Sequence, residues 1–164
     1  VIVKEVGFGM DQEAIKQLHQ MGVQYVNISG RGGTNFARIE DRRNHQTSFA
    51  DLHNWGQTTP ESLLEARQAH LEDLTVVSSG GICTPLDVIK SGVLGASAVG
   101  VAGYFLQILQ TDGMERLDQI INQWCQELPR LLTLLGCQSF AELQSQPFVL
   151  HGQTYEYAQQ RHLL

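Results

Sequence analysis

The sequence predicts an α/β fold: the second half of a (β/α)8 TIM barrel, with four parallel βα units, plus C-terminal helices. The first two-thirds of the chain alternate apolar, strand-like runs with helix-like segments. Each apolar run ends in small or polar residues, as strands do at the functional edge of a parallel sheet. The chain has 164 residues, whereas a complete barrel of this kind needs about 250. We therefore expect half a barrel.

Local patterns place the individual elements. The predicted strands cover residues 1–6, 24–28, 74–78 and 98–101. The predicted helices between them cover residues 11–21, a segment that begins near Pro60, and 84–93. Asp11 is a suitable N-cap for the first helix and Gly22 ends it. A long polar segment, residues 29–59, carries no predicted element.

The chain is helical after Tyr104. Residues 114–128 form an amphipathic pattern, which Pro129 is expected to kink or interrupt before the helix stops at Gly136. Ser139 and Glu142 have the spacing of a capping box, which predicts a short helix over residues 139–143. We divide the domain into the half barrel, residues 1–110, and a helical extension, residues 111–164.

Composition excludes several classes of function. The net charge of −6 disfavours nucleic-acid binding, which depends on Lys and Arg. No apolar run approaches the ~20 residues of a membrane span. The three cysteines form no C-x-x-C pair, so we expect neither disulfides nor a zinc site, and a cytoplasmic location. Because the chain opens inside an apolar strand, we expect that residues before Val1 have been removed.

Three features are candidates for binding. The glycine-ended turns SSGGIC (78–83) and VAGYF (101–105) expose backbone N–H groups beside helix N-termini, which favours a phosphate site; the alternative is two tight turns without a ligand. The loop SGRGGTN (29–35) follows a strand and is either a ligand loop or a solvated one. Lys4 lies inside an apolar strand, so it faces an anionic ligand or forms a salt bridge to Glu5 or Asp87.

These segments resemble a known family. VIVKEVGFGM, VNISGRGGTNFARIE and SSGGI-TPLDVIKSGVLGASAVGVAG are similar to the type 2 isopentenyl diphosphate isomerases, from Val1 to about Leu106. SGRGGTNFA separates this family from other FMN barrels, including the 2-hydroxy-acid oxidases. The resemblance implies interconversion of isopentenyl and dimethylallyl diphosphate by a homo-oligomer, using reduced FMN, Mg²⁺ and NADPH.

The resemblance also implies site residues. Lys4 would lie beside the flavin ring and stabilise its anionic reduced form, and Ser29 and Thr34 would contact FMN. The FMN phosphate would be held by backbone N–H groups of two turns, namely Gly81, Ile82 and Cys83 in the first and Ala102 and Gly103 in the second. The metal ligands are expected in a missing half, so the isolated chain is expected to be inactive.

The sequence departs from the family at two places in this region. Cys83 stands where the family commonly has Arg, and Phe36 where Trp is usual. Two alternatives remain open. One is an FMN oxidoreductase of the 2-hydroxy-acid oxidase type. That chemistry requires a His–Arg pair, and the segments SGRGGT and SSGGIC contain no His. The other is a non-catalytic half barrel that self-associates through its open edges.

Overall fold

The computed structural model describes residues 1–44 and 48–164, which contain one four-stranded parallel sheet in the order β1-β2-β3-β4. The strands are β1 (Val3–Lys4), β2 (Tyr25–Asn27), β3 (Thr75–Ser79) and β4 (Ala98–Gly100). Strand order equals chain order, and helices lie between the strands. Successive parallel strands with intervening helices are the repeating unit of a (β/α) barrel. The predicted half barrel with C-terminal helices is confirmed.

Six α-helices accompany the sheet in the described part of the chain. They are α1 (Gln12–Gln20), α2 (Phe36–Arg43), α3 (Thr59–Gln68), α4 (Pro85–Val93), α5 (Gly103–Leu134) and α6 (Gly152–Gln160). Asp11 caps α1 as predicted, because its carboxylate accepts the Ala14 N–H at 2.8 Å. The cap of α3 is Thr58, whose hydroxyl and the carboxylate of Glu61 form a capping box.

The polar segment between β2 and α3 contains structure that the sequence pattern did not predict. It holds α2 and a 3₁₀ turn, Ala50–Leu52. In α2 only Ala37 is buried, so the helix carries no apolar stripe that periodicity could detect. Its N-terminus is nevertheless marked, because the Asn35 side chain accepts the Arg38 N–H at 3.0 Å.

The C-terminal helices also differ from expectation. α5 runs through Pro129 without leaving helical geometry, and its non-helical residue is Gly113 (φ 85°, ψ 179°). Proline removes one N–H donor, and the carbonyl that loses its partner belongs to Cys125, an exposed residue that water can reach. The predicted helix at 139–143 is instead a 3₁₀ turn, Ala141–Ser145. Ser139 bonds the Glu142 carboxylate without capping the turn. The boundary at residue 110 falls inside α5 and stays a prediction.

The last helix is held to the half barrel by a buried carboxylate. Glu65 of α3 accepts hydrogen bonds from Tyr157 Oη (2.6 Å) and Arg161 Nε (2.8 Å) of the C-terminal segment. It also accepts the N–H of Gln12, the first residue of α1 (3.1 Å). Burial by itself raises the pKa of Glu65, but the hydrogen bonds from Arg161, Tyr157 and Gln12 outweigh it and lower the pKa below 4.5. One side chain therefore links α1, α3 and α6.

The edge of the sheet at β1 is open. Among the described residues, β1 pairs with β2 and with no other strand, and Val1, Ile2 and Val6 near it are exposed. Across residues 1–44 and 48–164, no helix combines the length and apolar character that crossing a bilayer requires.

Candidate functional site

A cavity of about 650 Å³ lies at the carboxyl ends of the four strands. This volume falls within the range of small-molecule and cofactor sites. All eight residues singled out from the sequence line it: Lys4, Ser29, Thr34, Gly81, Ile82, Cys83, Ala102 and Gly103. The structure therefore brings together residues that are almost 100 positions apart in the chain. Their roles in binding remain predictions.

The floor of the cavity is a polar network between neighbouring strands. Lys4 Nζ donates to Ser29 Oγ (3.0 Å) and to the backbone oxygen of Glu5 (2.9 Å). Lys4 forms no salt bridge with Glu5, whose carboxylate instead accepts the N–H of Gly7 at 2.6 Å. Lys4 is exposed rather than buried, because β1 has no second neighbour to cover it. Its charge is thus available to a ligand in the cavity.

Asn27 joins two of the strand ends. Its Oδ1 accepts the Ser29 N–H (3.1 Å) and the Ser79 hydroxyl (2.6 Å). Ser29 has a φ of 32°, an uncommon conformation for a residue with a side chain. The bond from its N–H to Asn27 helps to hold that conformation. Asn27 was not among the residues predicted from the sequence, although an amide inside an otherwise apolar strand was a usable signal.

The turn after β3 packs against the loop after β2. A Cβ on Gly80 would lie 2.0 Å from the carbonyl oxygen of Gly30, so only glycine fits there. The Thr59 hydroxyl lies within hydrogen-bonding distance of the carbonyl oxygens of Ser79 (3.0 Å) and Gly80 (2.7 Å). Gly80 therefore serves the packing of two loops. For this residue, the alternative of a tight turn without a ligand is sufficient.

The backbone N–H groups of the turn after β3 are not equivalent. Within the described part of the chain, the N–H groups of Gly81 and Ile82 have no protein acceptor. The N–H of Cys83 donates to Asp87 Oδ2 (3.2 Å), as does that of Thr84 (3.0 Å). The capping box of α4 thus occupies one of the three amides expected to bind phosphate. It also places a carboxylate at the N-terminus of α4.

The second turn is open. α5 begins after Ala102 with no side-chain cap. Among the described residues, no protein acceptor lies opposite the N–H groups of Gly103, Tyr104 and Phe105. A Cβ on Gly103 would meet no atom within 4 Å. Free amides at a helix N-terminus attract anions, because the helix dipole adds to their partial positive charge.

Aromatic side chains flank the cavity. Phe36 and Tyr104 line it, and Tyr104 stacks on the buried Trp124 with ring centroids 5.6 Å apart. The stack fixes the orientation of Tyr104 at the start of α5. Phe36 stands where the resemblance implies Trp, whereas no role was predicted for Tyr104.

Two further observations limit what the cavity can do. In the described ranges 1–44 and 48–164, no three His, Cys, Asp or Glu side chains group so as to hold a metal ion. Among the residues that the structure describes, no histidine lines the cavity. A larger cavity of about 870 Å³ adjoins it between β1 and α1 and shares Lys4 and Val6 with it.

Comparison with known proteins agrees with this architecture. The model of the FMN-dependent dehydrogenase family matches residues 1–150. The chain belongs to the FMN-dependent dehydrogenase family. Its curated relatives include proteins named isopentenyl-diphosphate delta-isomerase. The one from Limosilactobacillus reuteri is 58% identical over 163 residues, and the one from Moorella thermoacetica is 47% identical over 164. Each alignment covers 99% of this chain and 47% of the relative.

Solved structures extend the comparison to the fold. A mandelate oxidase with 3,3-difluoro-2-hydroxy-3-phenylpropionic acid superposes with a TM-score of 0.68 at 22% identity, over 93% of this chain and 40% of the oxidase. A mandelate oxidase mutant with the monooxide FMN adduct gives 0.66 at 23% identity, over 92% and 42%. This member of the FMN-dependent dehydrogenase family thus spans about half the length of its relatives.

Proposed function

We propose that the chain is the FMN-binding half of an isopentenyl-diphosphate delta-isomerase. The observation that carries this proposal is the single cavity that joins Lys4, Ser29 and the two glycine turns. Curated relatives at 42–58% identity, all named for that activity, support the reaction. The substrate would be an isoprenoid diphosphate.

The FMN phosphate would bind between the two turns. The free N–H groups of Gly81 and Ile82 face it from one side, and those of Gly103 and Tyr104 from the other. Asp87 keeps Cys83 and the N-terminus of α4 occupied, so α5 supplies the helix dipole. The phosphate is therefore expected nearer to α5 than to α4.

The flavin ring would extend from the phosphate over the floor of the cavity. Lys4 supplies positive charge there, and Ser29 holds the ammonium group in place through a 3.0 Å hydrogen bond. Thr34 and Phe36 border the cavity on the side of the loop after β2. When bound in its reduced form, FMN supplies the proton transfer at the allylic carbons.

Further components of the reaction belong to the same proposal. NADPH would supply the reducing equivalents, and Mg²⁺ would bind the substrate diphosphate. No described group of ligands in this chain fits the metal, so we assign its ligands to the remainder of the isomerase. We also propose that the protein is a cytoplasmic homo-oligomer.

A chimera tests the function directly. The segment of the Limosilactobacillus reuteri protein that matches this chain is replaced by residues 1–164, and conversion of isopentenyl diphosphate is measured with FMN, NADPH and Mg²⁺. We expect the chimera to form dimethylallyl diphosphate and the isolated chain to form none. The unmodified Limosilactobacillus reuteri protein is the positive control. A folded, FMN-loaded chimera without turnover would contradict the proposal.

The oxidase alternative is tested with the same chimera. The fold and the family model favour it as a second candidate. Anaerobic addition of a 2-hydroxy acid would then bleach the absorption of oxidised FMN. We expect no bleaching, because within residues 1–44 and 48–164 no histidine that could remove the hydroxyl proton lines the cavity.

A further inference from the structure

Asn27 is a polar residue of the cavity that neither the motifs nor the resemblance pointed to. It is the last residue of β2, and it stands directly opposite Lys4 of β1 and Val77 of β3. It is half-buried and lines the cavity. Its side chain therefore lies at the centre of the floor, beside the ammonium group proposed to contact the flavin.

The hydrogen-bond donors around the Asn27 side chain determine the orientation of its amide. Both groups bonded to Oδ1, the Ser29 N–H and the Ser79 hydroxyl, are donors in these contacts. A backbone N–H can only donate, so the atom facing Ser29 must be the oxygen. The amide cannot be turned over without leaving the Ser29 N–H facing another donor. The Nδ2 group is consequently directed away from the Ser29 and Ser79 contacts.

This Nδ2 group carries two N–H donors that the protein does not use. Within residues 1–44 and 48–164, no acceptor for Nδ2 is present, whereas Oδ1 has two donors. The Asn27 amide is thus held in one orientation, with its oxygen fully bonded and its NH₂ group free beside the cavity. Such a group can donate a hydrogen bond to an acceptor on a ligand.

We infer that Asn27 donates a hydrogen bond to an acceptor atom on the edge of the bound isoalloxazine ring. This inference rests on the proposed function. The ring edge presents carbonyl oxygens and imine nitrogens as acceptors, and a neutral donor beside Lys4 adds to the polarisation of the same edge. Ser79 acts as a positioning residue, because its hydroxyl holds the amide of Asn27 at 2.6 Å.

The test compares FMN with riboflavin, which has the same ring but no phosphate, by fluorescence titration of the 164-residue chain. Asn27→Asp keeps both accepted hydrogen bonds but loses the donor and adds a negative charge. We expect it to weaken both ligands by the same factor, about 30-fold. Ser79→Ala, which only releases the amide, should weaken both about threefold. The absorption maximum of bound FMN should shift in Asn27→Asp.

The controls separate the ring from the phosphate. Asn122→Asp makes the same chemical change on the exposed surface of α5 and should alter neither affinity nor spectrum. Far-ultraviolet circular dichroism checks that each variant is folded. Should Asn27→Asp leave riboflavin affinity and the FMN spectrum unchanged, the inference is wrong while the proposed function stands. Failure to bind FMN both in the isolated chain and in the chimera would overturn the proposed function first, and the contact with it.

Discussion

The two helices that begin at the cavity differ at their first turns. α4 is closed by its own residues, because Thr84 and Asp87 form a capping box and Asp87 also accepts the Cys83 N–H. α5 has no side-chain cap, and its first amides lie open to the cavity. Both follow a strand that ends in glycine or small residues. Similar turns in the sequence can therefore begin helices that differ: the N-terminus of α4 is capped by its own residues, and that of α5 is left open.

The glycines of the two turns show the same contrast. Gly80 is enclosed by the backbone of Gly30, whereas Gly103 faces open space. Gly80 thus serves packing, whereas a ligand can approach the backbone at Gly103. These contrasts, together with the contacts of Glu65, generate five predictions, given from the largest expected effect to the smallest.

Substituting the two glycines should separate packing from approach. Gly80→Ala forces a Cβ to within 2.0 Å of a carbonyl oxygen at a φ of 102°, so we expect a loss of about 3 kcal/mol or more in the free energy of unfolding. Gly103→Ala should change it by less than about 1 kcal/mol. Urea denaturation of both variants measures the difference. Equal losses would contradict the contrast.

A carboxylate at the start of α5 should block the open turn. Gly103→Asp adds negative charge where the FMN phosphate is proposed to bind, and we expect FMN affinity to fall on the order of 100-fold. Riboflavin affinity should change little, because riboflavin has no phosphate. Gly103→Asn is the matched neutral control and should retain most of the affinity. A similar loss in both variants would indicate a steric cause instead.

Removing the cap of α4 should strengthen FMN binding, which is the opposite of the effect expected for Gly103→Asp. Asp87→Ala releases the N–H groups of Cys83 and Thr84, which should cost about 1 kcal/mol of stability. FMN affinity should rise about threefold, because a negative charge near the phosphate is gone. Glu72→Ala removes an exposed carboxylate elsewhere and serves as the control for net charge. Weaker FMN binding in Asp87→Ala would argue that the cap shapes the site.

The pH dependence of stability tests a contact at the N-terminus of a third helix, α1, where the acceptor is Glu65 of α3. Glu65 bonds the first N–H of α1, and its pKa is lowered from 4.5 in the folded chain. A carboxyl whose pKa is lowered on folding contributes stability above its unfolded pKa, and this contribution is lost as the pH falls through the folded pKa. We expect the melting temperature to fall below about pH 4.5. In Glu65→Gln this part of the fall in melting temperature should vanish. Asp112→Asn removes a different carboxylate as a control and should leave the fall unchanged.

Tyr157 gives the corresponding effect at alkaline pH. Burial and the neighbouring Glu65 raise its pKa above the ordinary value of 10.0. Its contribution to stability is therefore complete below pH 10.0 and declines as the pH rises through the folded pKa. Tyr157→Phe should remove that alkaline decline. Tyr155→Phe, on the same helix, is the matched control.

The strands and most helices could be predicted because their signals are local. Asp11, Gly22 and the Thr84-Pro85 pair mark helix ends through bonds within a few residues of the chain. α2 could not be predicted in the same way, because Ala37 is the one buried residue of its eight. The sequence pattern placed the interruption of α5 at Pro129, whereas its non-helical residue is Gly113.

The candidate site was predictable in its members but not in its bonding. The strand ends of a parallel sheet must meet at one edge, so eight residues chosen from the sequence came to line one cavity. The occupation of the Cys83 amide was not predicted, although the spacing of Thr84 and Asp87 suggests a capping box. Asn27 was overlooked because its function depends on Ser79, which lies 52 positions away.

The sequence by itself determined the alternation of strands and helices, and with it the edge at which the glycine turns assemble. Periodicity and capping act over a few residues, so they can be recognised without coordinates. Only the tertiary structure decided which amides are free, which glycine is enclosed and which way the Asn27 amide points. Those properties depend on the direction of hydrogen bonds between distant segments, and the linear order of residues does not contain that direction.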